Sequence, residues 1–290
     1  MNLSVRFEAN TGPPGGSLPR GNVPGLLTAV DHIVVGATDL DRLVDTFRRI
    51  GFTVTAKGDG PRLARAVFAN CFLEFREVDA LGSAEGLQRI VLRSDDLDAE
   101  VVRLRSSGVR VSEPIDEELD LGEHSPIRRR SDVDAVVPIG LVERDPDDMI
   151  GYLGAAGHPN TATTLERVYL AVDSIERELD PFVRVLGVPA PEPELGTVIM
   201  SLMSVFYVGA VGIAVAEPRG PGPTADALRA NGPGLFQLLF RADHLDQAAR
   251  VMADNGLPAP SRGTRLSGEG ALLVDPAYAG NVYVGLAGLP

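Results

Sequence analysis

One helix start recurs four times in this chain. It reads Thr38-Asp39-Leu40-Asp41 before Gly51 and Asp95-Asp96-Leu97-Asp98 before Gly108. It returns as Asp173-Ser174-Ile175-Glu176 before Gly187 and Asp243-His244-Leu245-Asp246 before Gly256. The distance from the apolar residue of each start to the closing glycine is 11, 11, 12 and 11 residues. A fixed internal length of this kind marks one supersecondary unit used four times. The acidic start suits a helix N-terminus, where a side-chain oxygen can satisfy orphan amides and negative charge meets the positive end of the dipole. Apolar residues follow at helical spacing, as in Leu40, Leu43, Val44 and Phe47 or Ile175, Leu179, Phe182 and Leu186. The glycine suits a left-handed helix end.

Each start follows a short apolar segment that reads as a strand: Asp31–Gly36, Leu87–Arg93, Arg167–Val172 and Phe236–Arg241. An extended segment follows each glycine, and a closing strand completes each unit at Asn70–Val78, Pro138–Arg144, Val211–Ala216 and Asn281–Leu286. The expected unit is therefore strand, helix, then up to three strands, and the fold class α+β. The uncharged stretch Thr197–Ala216 has the length of a membrane helix. Its Val and Ile content, with Ser201, Ser204, Gly209 and Gly212, instead predicts buried strands broken near Gly209.

Composition narrows the function classes. A net charge of −13 disfavours nonspecific attraction to nucleic acid or an anionic membrane. Cys71 is the single cysteine, so neither an intrachain disulfide nor a four-thiolate metal site can form. No basic segment with an apolar core opens the chain, and a cytoplasmic location is expected. No glycine-rich phosphate loop, dinucleotide fingerprint or GxSxG elbow is present.

The unit, with Asp31-His32-Ile33-Val34-Val35, Phe72-Leu73-Glu74-Phe75, Leu141-Val142-Glu143, Gly157-His158-Pro159-Asn160 and the ending Val274–Gly280, resembles the vicinal oxygen chelate superfamily. That superfamily includes glyoxalase I, extradiol dioxygenases and bleomycin-resistance proteins, and the bacterial glyoxalase-like domains are the nearest likeness. The resemblance implies four βαβββ units that pair into two modules, each with an open face forming a cavity. The expected organisation is a leader at 1–26, a first module at 27–150, a linker at 151–161 and a second module at 162–290.

The resemblance also implies a metal site with one ligand from the first and one from the last strand of each paired unit. In the first module those positions are taken by His32, Glu74, Arg89 and Glu143. Two arrangements are open. His32, Glu74 and Glu143 could hold Mn, Fe, Mg or Zn while Arg89 binds substrate. Alternatively Arg89, which is always protonated and cannot ligate a metal, pairs with Glu74 or Glu143 in a metal-free cavity. The second module offers Arg167, Ala214, Gln237 and Gly285 at its matching positions and is expected to be structural. Glu143 or His158 is the expected acid or base, and Arg89, Arg128 and Arg130 the expected contacts to an anionic small molecule. Of the Arg128–Arg130 run, at least one side chain should face the cavity and one away. Cys71 has the opposite parity to Glu74 and is expected to be packed.

Two functions follow: a glyoxalase-like lyase, isomerase or dioxygenase of small-molecule metabolism, or a non-catalytic binding or resistance protein. The expected state is a monomer or homodimer.

Overall fold

The computed structural model describes residues 27–56, 63–78, 85–116, 129–134, 138–143 and 157–289. The expected leader, Arg128 and most of the linker lie outside them. Four βαβββ units follow one another. The first comprises β1 (Leu27–Ala37), α1 (Leu40–Ile50), β2 (Thr55–Ala56), β3 (Leu63–Val67) and β4 (Phe72–Glu77). The second comprises β5 (Gly86–Ser94), α2 (Leu97–Ser106), β6 (Arg110–Val111), β7 (Arg129–Asp134) and β8 (Ile139–Glu143). The third is β9 (Ala162–Ala171), α3 (Ile175–Leu186), β10 (Glu194–Gly196), β11 (Ser201–Val208) and β12 (Val211–Pro218). A further helix, α4 (Pro223–Asn231), precedes the fourth, made of β13 (Gly234–Ala242), α5 (Leu245–Asp254), β14 (Ser261–Thr264), β15 (Gly270–Val274) and β16 (Tyr283–Gly288).

Units pair into two eight-stranded sheets of identical plan, β2-β3-β4-β1-β5-β8-β7-β6 and β10-β11-β12-β9-β13-β16-β15-β14. In each sheet the first strands of the two units lie side by side, antiparallel, and each is flanked by the parallel last strand of its own unit. Thr197–Ala216 contributes β11 and β12, which turn at Gly209 with φ 60°. Among the described residues no helix is long and apolar enough to cross a membrane.

The helix starts behave as their sequence suggests in two of four cases. Asp39 accepts from the Arg42 amide and Asp96 from the Ala99 amide. Ser174 and His244 make no such bond. Gly51 and Gly187 close α1 and α3 directly in the left-handed region, whereas Gly108 and Gly256 stand two residues beyond the ends of α2 and α5, after Ser107 and Asn255.

Alternation along the strands gives each sheet a helix-covered side and an open side. The covered sides of both sheets share one core, which runs from Phe47, Phe52, Phe68 and Phe75 in the first half to Phe182, Phe206 and Phe240 in the second. Phe240 meets Phe52 and Phe68 at centroid distances of 5.1 and 4.7 Å. Polar contacts follow the same seam. Asn70 donates to the Leu165 carbonyl and accepts from its amide, and Arg103 donates to the carbonyls of Arg184 and Val185 at the end of α3.

The two open sides differ. On the second sheet α4 buries Thr224 and Ala227, and Ala227 joins Tyr169, Ala171, Ala214, Ala216 and Phe236 on that face. The chain between β12 and β13 runs from 219 to 233 and supplies this helix, while the matching connection in the first half, 78–85, is far shorter. The first sheet's open face holds a cavity.

Candidate active site

The cavity has a volume of about 370 Å³ and a floor of β1, β5 and β8. Val34, Val91 and Val142 form its apolar patch. His32, Arg76, Gln88, Arg89, Arg130 and Asp132 supply its polar lining. Both Gln88 and Arg89 reach it because the β1–β5 register slips between Val34 and Val35, an irregularity that aims two consecutive side chains to one side.

Strand register decides which residues occupy the four repeat-related positions. Glu74 lies opposite Val34, and Val34 lies opposite Arg89. The counterpart of Val34 in the second unit is Val91, and Val91 lies opposite Gly140. The fourth position is therefore Gly140, not Glu143. Glu143 stands three residues further along β8 on the helix-covered side, where Oε2 accepts from the Leu97 amide at 3.0 Å and caps α2. Glu217 does the same for α3 through the Ile175 amide at 3.0 Å. Glu77 stands at the matching place in β4, three residues after Glu74, so the sequence itself aligns Glu143 and Glu217 with Glu77 rather than with Glu74.

The expected ligand set is thus reduced to His32 and Glu74, and Glu74 is already engaged. It is fully buried, with Oε2 3.0 Å from the Arg65 guanidinium and Oε1 against that of Arg76. Burial alone would raise its pKa, but His32, Arg76 and Arg65 together outweigh it and hold the carboxyl at about 2. Arg89 pairs with neither Glu74 nor Glu143. Its guanidinium meets Asp132 of β7 at 2.5 Å. Among the described residues no three His, Cys, Asp or Glu side chains converge as metal ligands. A single histidine ring, a carboxylate held by two guanidinium groups, a third guanidinium and a glycine do not fit Mn, Fe, Mg or Zn.

What the structure does assemble is a couple absent from the sequence reading. Asp31 and His32 are adjacent, so simple alternation would send them to opposite faces. The β1–β5 register slips between Val30 and His32, and Asp31 Oδ2 lies 2.7 Å from His32 Nδ1. Both residues are buried. An ionised carboxylate only accepts, so this contact puts the proton on Nδ1 and leaves Nε2 as the basic nitrogen. The ring stacks on Phe72, centroids 4.7 Å apart and planes 13° from parallel, which fixes its orientation. Arg65 lies over the same Phe72 ring at 4.8 Å.

The remaining expected residues fall as follows. Arg130 lines the cavity, and Arg129 turns away to grip Asp98 with bonds of 2.6 and 2.9 Å. His158 is not near the cavity. It sits in the seam between the halves, where Nδ1 accepts from the Thr53 amide at 3.0 Å and the ring touches Phe52 and Phe68. Burial pushes its pKa below the ordinary value, partly countered by the Val67 carbonyl. Cys71 is fully buried in the core, and burial, with Asp31 nearby, pushes its thiol far above the ordinary range.

A family model described as a glyoxalase-like domain matches residues 30–186. No curated protein matches the chain in sequence. Among solved structures, the chain is similar to a mutant of 4-hydroxymandelate synthase from Streptomyces coelicolor, with a TM-score of 0.65 and 14% identity over 90% of this chain and 92% of that one. It is also similar to a xylose isomerase-like TIM barrel/4-hydroxyphenylpyruvate dioxygenase fusion protein, with a TM-score of 0.63 and 11% identity over 91% of this chain. The chain spans about half of that fusion protein, 49% of its length. At these identities the likeness is one of fold.

Proposed function

The chain belongs to the glyoxalase-like domain family, whose model covers residues 30–186, and on that premise we propose that it is an enzyme of small-molecule metabolism that moves a proton within the first cavity. The reaction is of the lyase or isomerase type. His32 takes the proton through Nε2, and Asp31 holds the ring and stabilises the imidazolium that results. Arg89, Arg130 and Arg76 line the same space, where a guanidinium can take up the negative charge that develops on a substrate oxygen. The observation that carries this reading is the buried Asp31–His32 contact of 2.7 Å at the cavity floor. No step is routed through a metal, because two of the four relevant positions are Arg89 and Gly140. That also removes support for a dioxygenase outcome. The open side of the second sheet, covered by α4, takes a structural role in this reading.

Deuterium exchange tests the proposal without knowledge of the substrate. Small carboxylates with acidic C–H bonds (pyruvate, 2-oxoglutarate, malonate) are incubated with the protein in D2O and followed by proton NMR. Exchange above the uncatalysed rate is expected for at least one, falling about 10²- to 10⁴-fold in His32→Gln. Equal exchange by wild type and His32→Gln, or none by either, sinks it. One observation favours a second reading, a non-catalytic binding protein: Arg65, Arg76 and Arg89 are each already paired within the chain. Tight binding without exchange would select it.

A further inference from the structure

The two ion-paired groups on the cavity wall differ in kind. Glu74 is fully buried between Arg65 and Arg76 and is a fixed part of the wall. Arg89 and Asp132 keep side-chain exposures of 34% and 47%, so solvent already competes for both partners. An exposed pair of this sort contributes little to stability and separates readily. The arginine is nonetheless held in place by its surroundings. A methyl group at Gly140 would stand 3.2 Å from Arg89 Cδ and 3.3 Å from Val91, so glycine leaves room for the Arg89 stem along the floor, and a side chain there would push that stem aside by a few tenths of an ångström.

We propose that Asp132 occupies the place of a ligand carboxylate on Arg89, and that the cavity is selective for small carboxylates, which displace Asp132 as they bind. This rests on the reading that the cavity takes an anionic small molecule, and it names the anion. Asp132 presents a planar carboxylate oxygen to the guanidinium at 2.5 Å, and the fork of an arginine matches two coplanar oxygens. His32 lies opposite Val91 and Arg89 opposite Val34, which makes His32 and Arg89 diagonal neighbours across β1 and β5, about 7–8 Å apart at the backbone. A molecule gripped by Arg89 therefore also lies beside His32. The cavity volume of about 370 Å³ limits it to a small one.

The test is calorimetric titration of the full chain with malonate, pyruvate and inorganic phosphate. Asp132→Asn should bind the carboxylates about five- to tenfold more tightly than wild type, because an internal competitor and a like charge are both removed. Arg89→Gln should abolish carboxylate binding in both backgrounds, and Arg89→Lys should weaken it while keeping the charge. Phosphate should bind more weakly than malonate throughout. Unchanged or weaker carboxylate binding in Asp132→Asn overturns the proposal. So does binding that survives Arg89→Gln, a preference for phosphate, or no carboxylate binding to either wild type or Asp132→Asn. His32→Gln separates this from the proton-transfer reading. Malonate affinity kept in that variant, with no exchange in wild type, removes the catalytic reading alone. Exchange that depends on His32, with malonate affinity indifferent to Asp132, removes the displacement alone.

Discussion

Glu74 shows what a single residue type leaves undecided. A glutamate on an inward-facing strand position is a metal ligand, a base or half of an ion pair according to its neighbours, and here Arg65 and Arg76 settle the matter. Its carboxyl is lowered from 4.5 to about 2, so the contribution to stability is fully present above pH 4.5 and is lost as pH falls from there towards 2. At about 1.4 kcal/mol per pKa unit, the contribution is roughly 3 kcal/mol. Glu74→Gln should lower stability by about that amount at pH 7 and flatten the difference between the two proteins below pH 4.5. Urea unfolding at a series of pH values measures it, and a variant as stable as wild type at neutral pH would contradict it. His32 and Asp31 were legible as residues but not as a couple. Their contact depends on a slip in the β1–β5 register, and nothing in the local sequence marks where a strand slips.

At the scale of elements, the repeat was the legible part. All four strand-helix units lie where the acidic starts and glycines put them, because capping and periodicity are local and need no knowledge of the partner strand. The closing strands were also found, and the phase was right at Glu74, Ala214 and Gly285 but missed in the second unit. Gly140 rather than Glu143 faces the cavity, and an error of three residues reverses the face on a strand of period two. The capping role of Glu143 makes its own prediction. Glu143→Ala should cost about 1 kcal/mol, the usual effect of losing a helix cap, and leave malonate affinity unchanged. Thermal unfolding and titration of the same sample check both halves of that statement. A large loss of ligand affinity with unchanged stability would return Glu143 to the cavity. Gly140→Ala should do the opposite, weakening malonate binding by displacing the Arg89 stem while altering stability little.

The whole molecule joins two modules through the sides that carry their helices, and the join has a titratable member. His158 is held neutral among Phe52 and Phe68. Its pKa is lowered in the fold, so the full contribution to stability is present above pH 6.5 and is lost as pH falls below that value. His158→Gln should remove a stability change that wild type shows on acidification from pH 7 to pH 5, followed by urea unfolding at each pH. A metal is tested at this scale too. Dialysis against a chelator should change neither deuterium exchange nor malonate affinity, and addition of Mn, Fe, Zn or Mg should restore nothing. Activity lost on chelation and regained with one ion would show that the donor set is completed in a way that Arg89 and Gly140 do not suggest.

The shared core has a consequence for how the chain can change over generations. Phe52 and Phe68 find their partner in Phe240, and Asn70 in the backbone of Leu165, so the first half cannot satisfy its own inner surface. The second half behaves as a covalently tethered subunit, and the two should melt as one. Substitutions at Phe240 or Leu165 lie far along the chain from His32 and touch no ligand. They will nonetheless appear in any screen as losses of function in the first cavity, through abundance rather than chemistry.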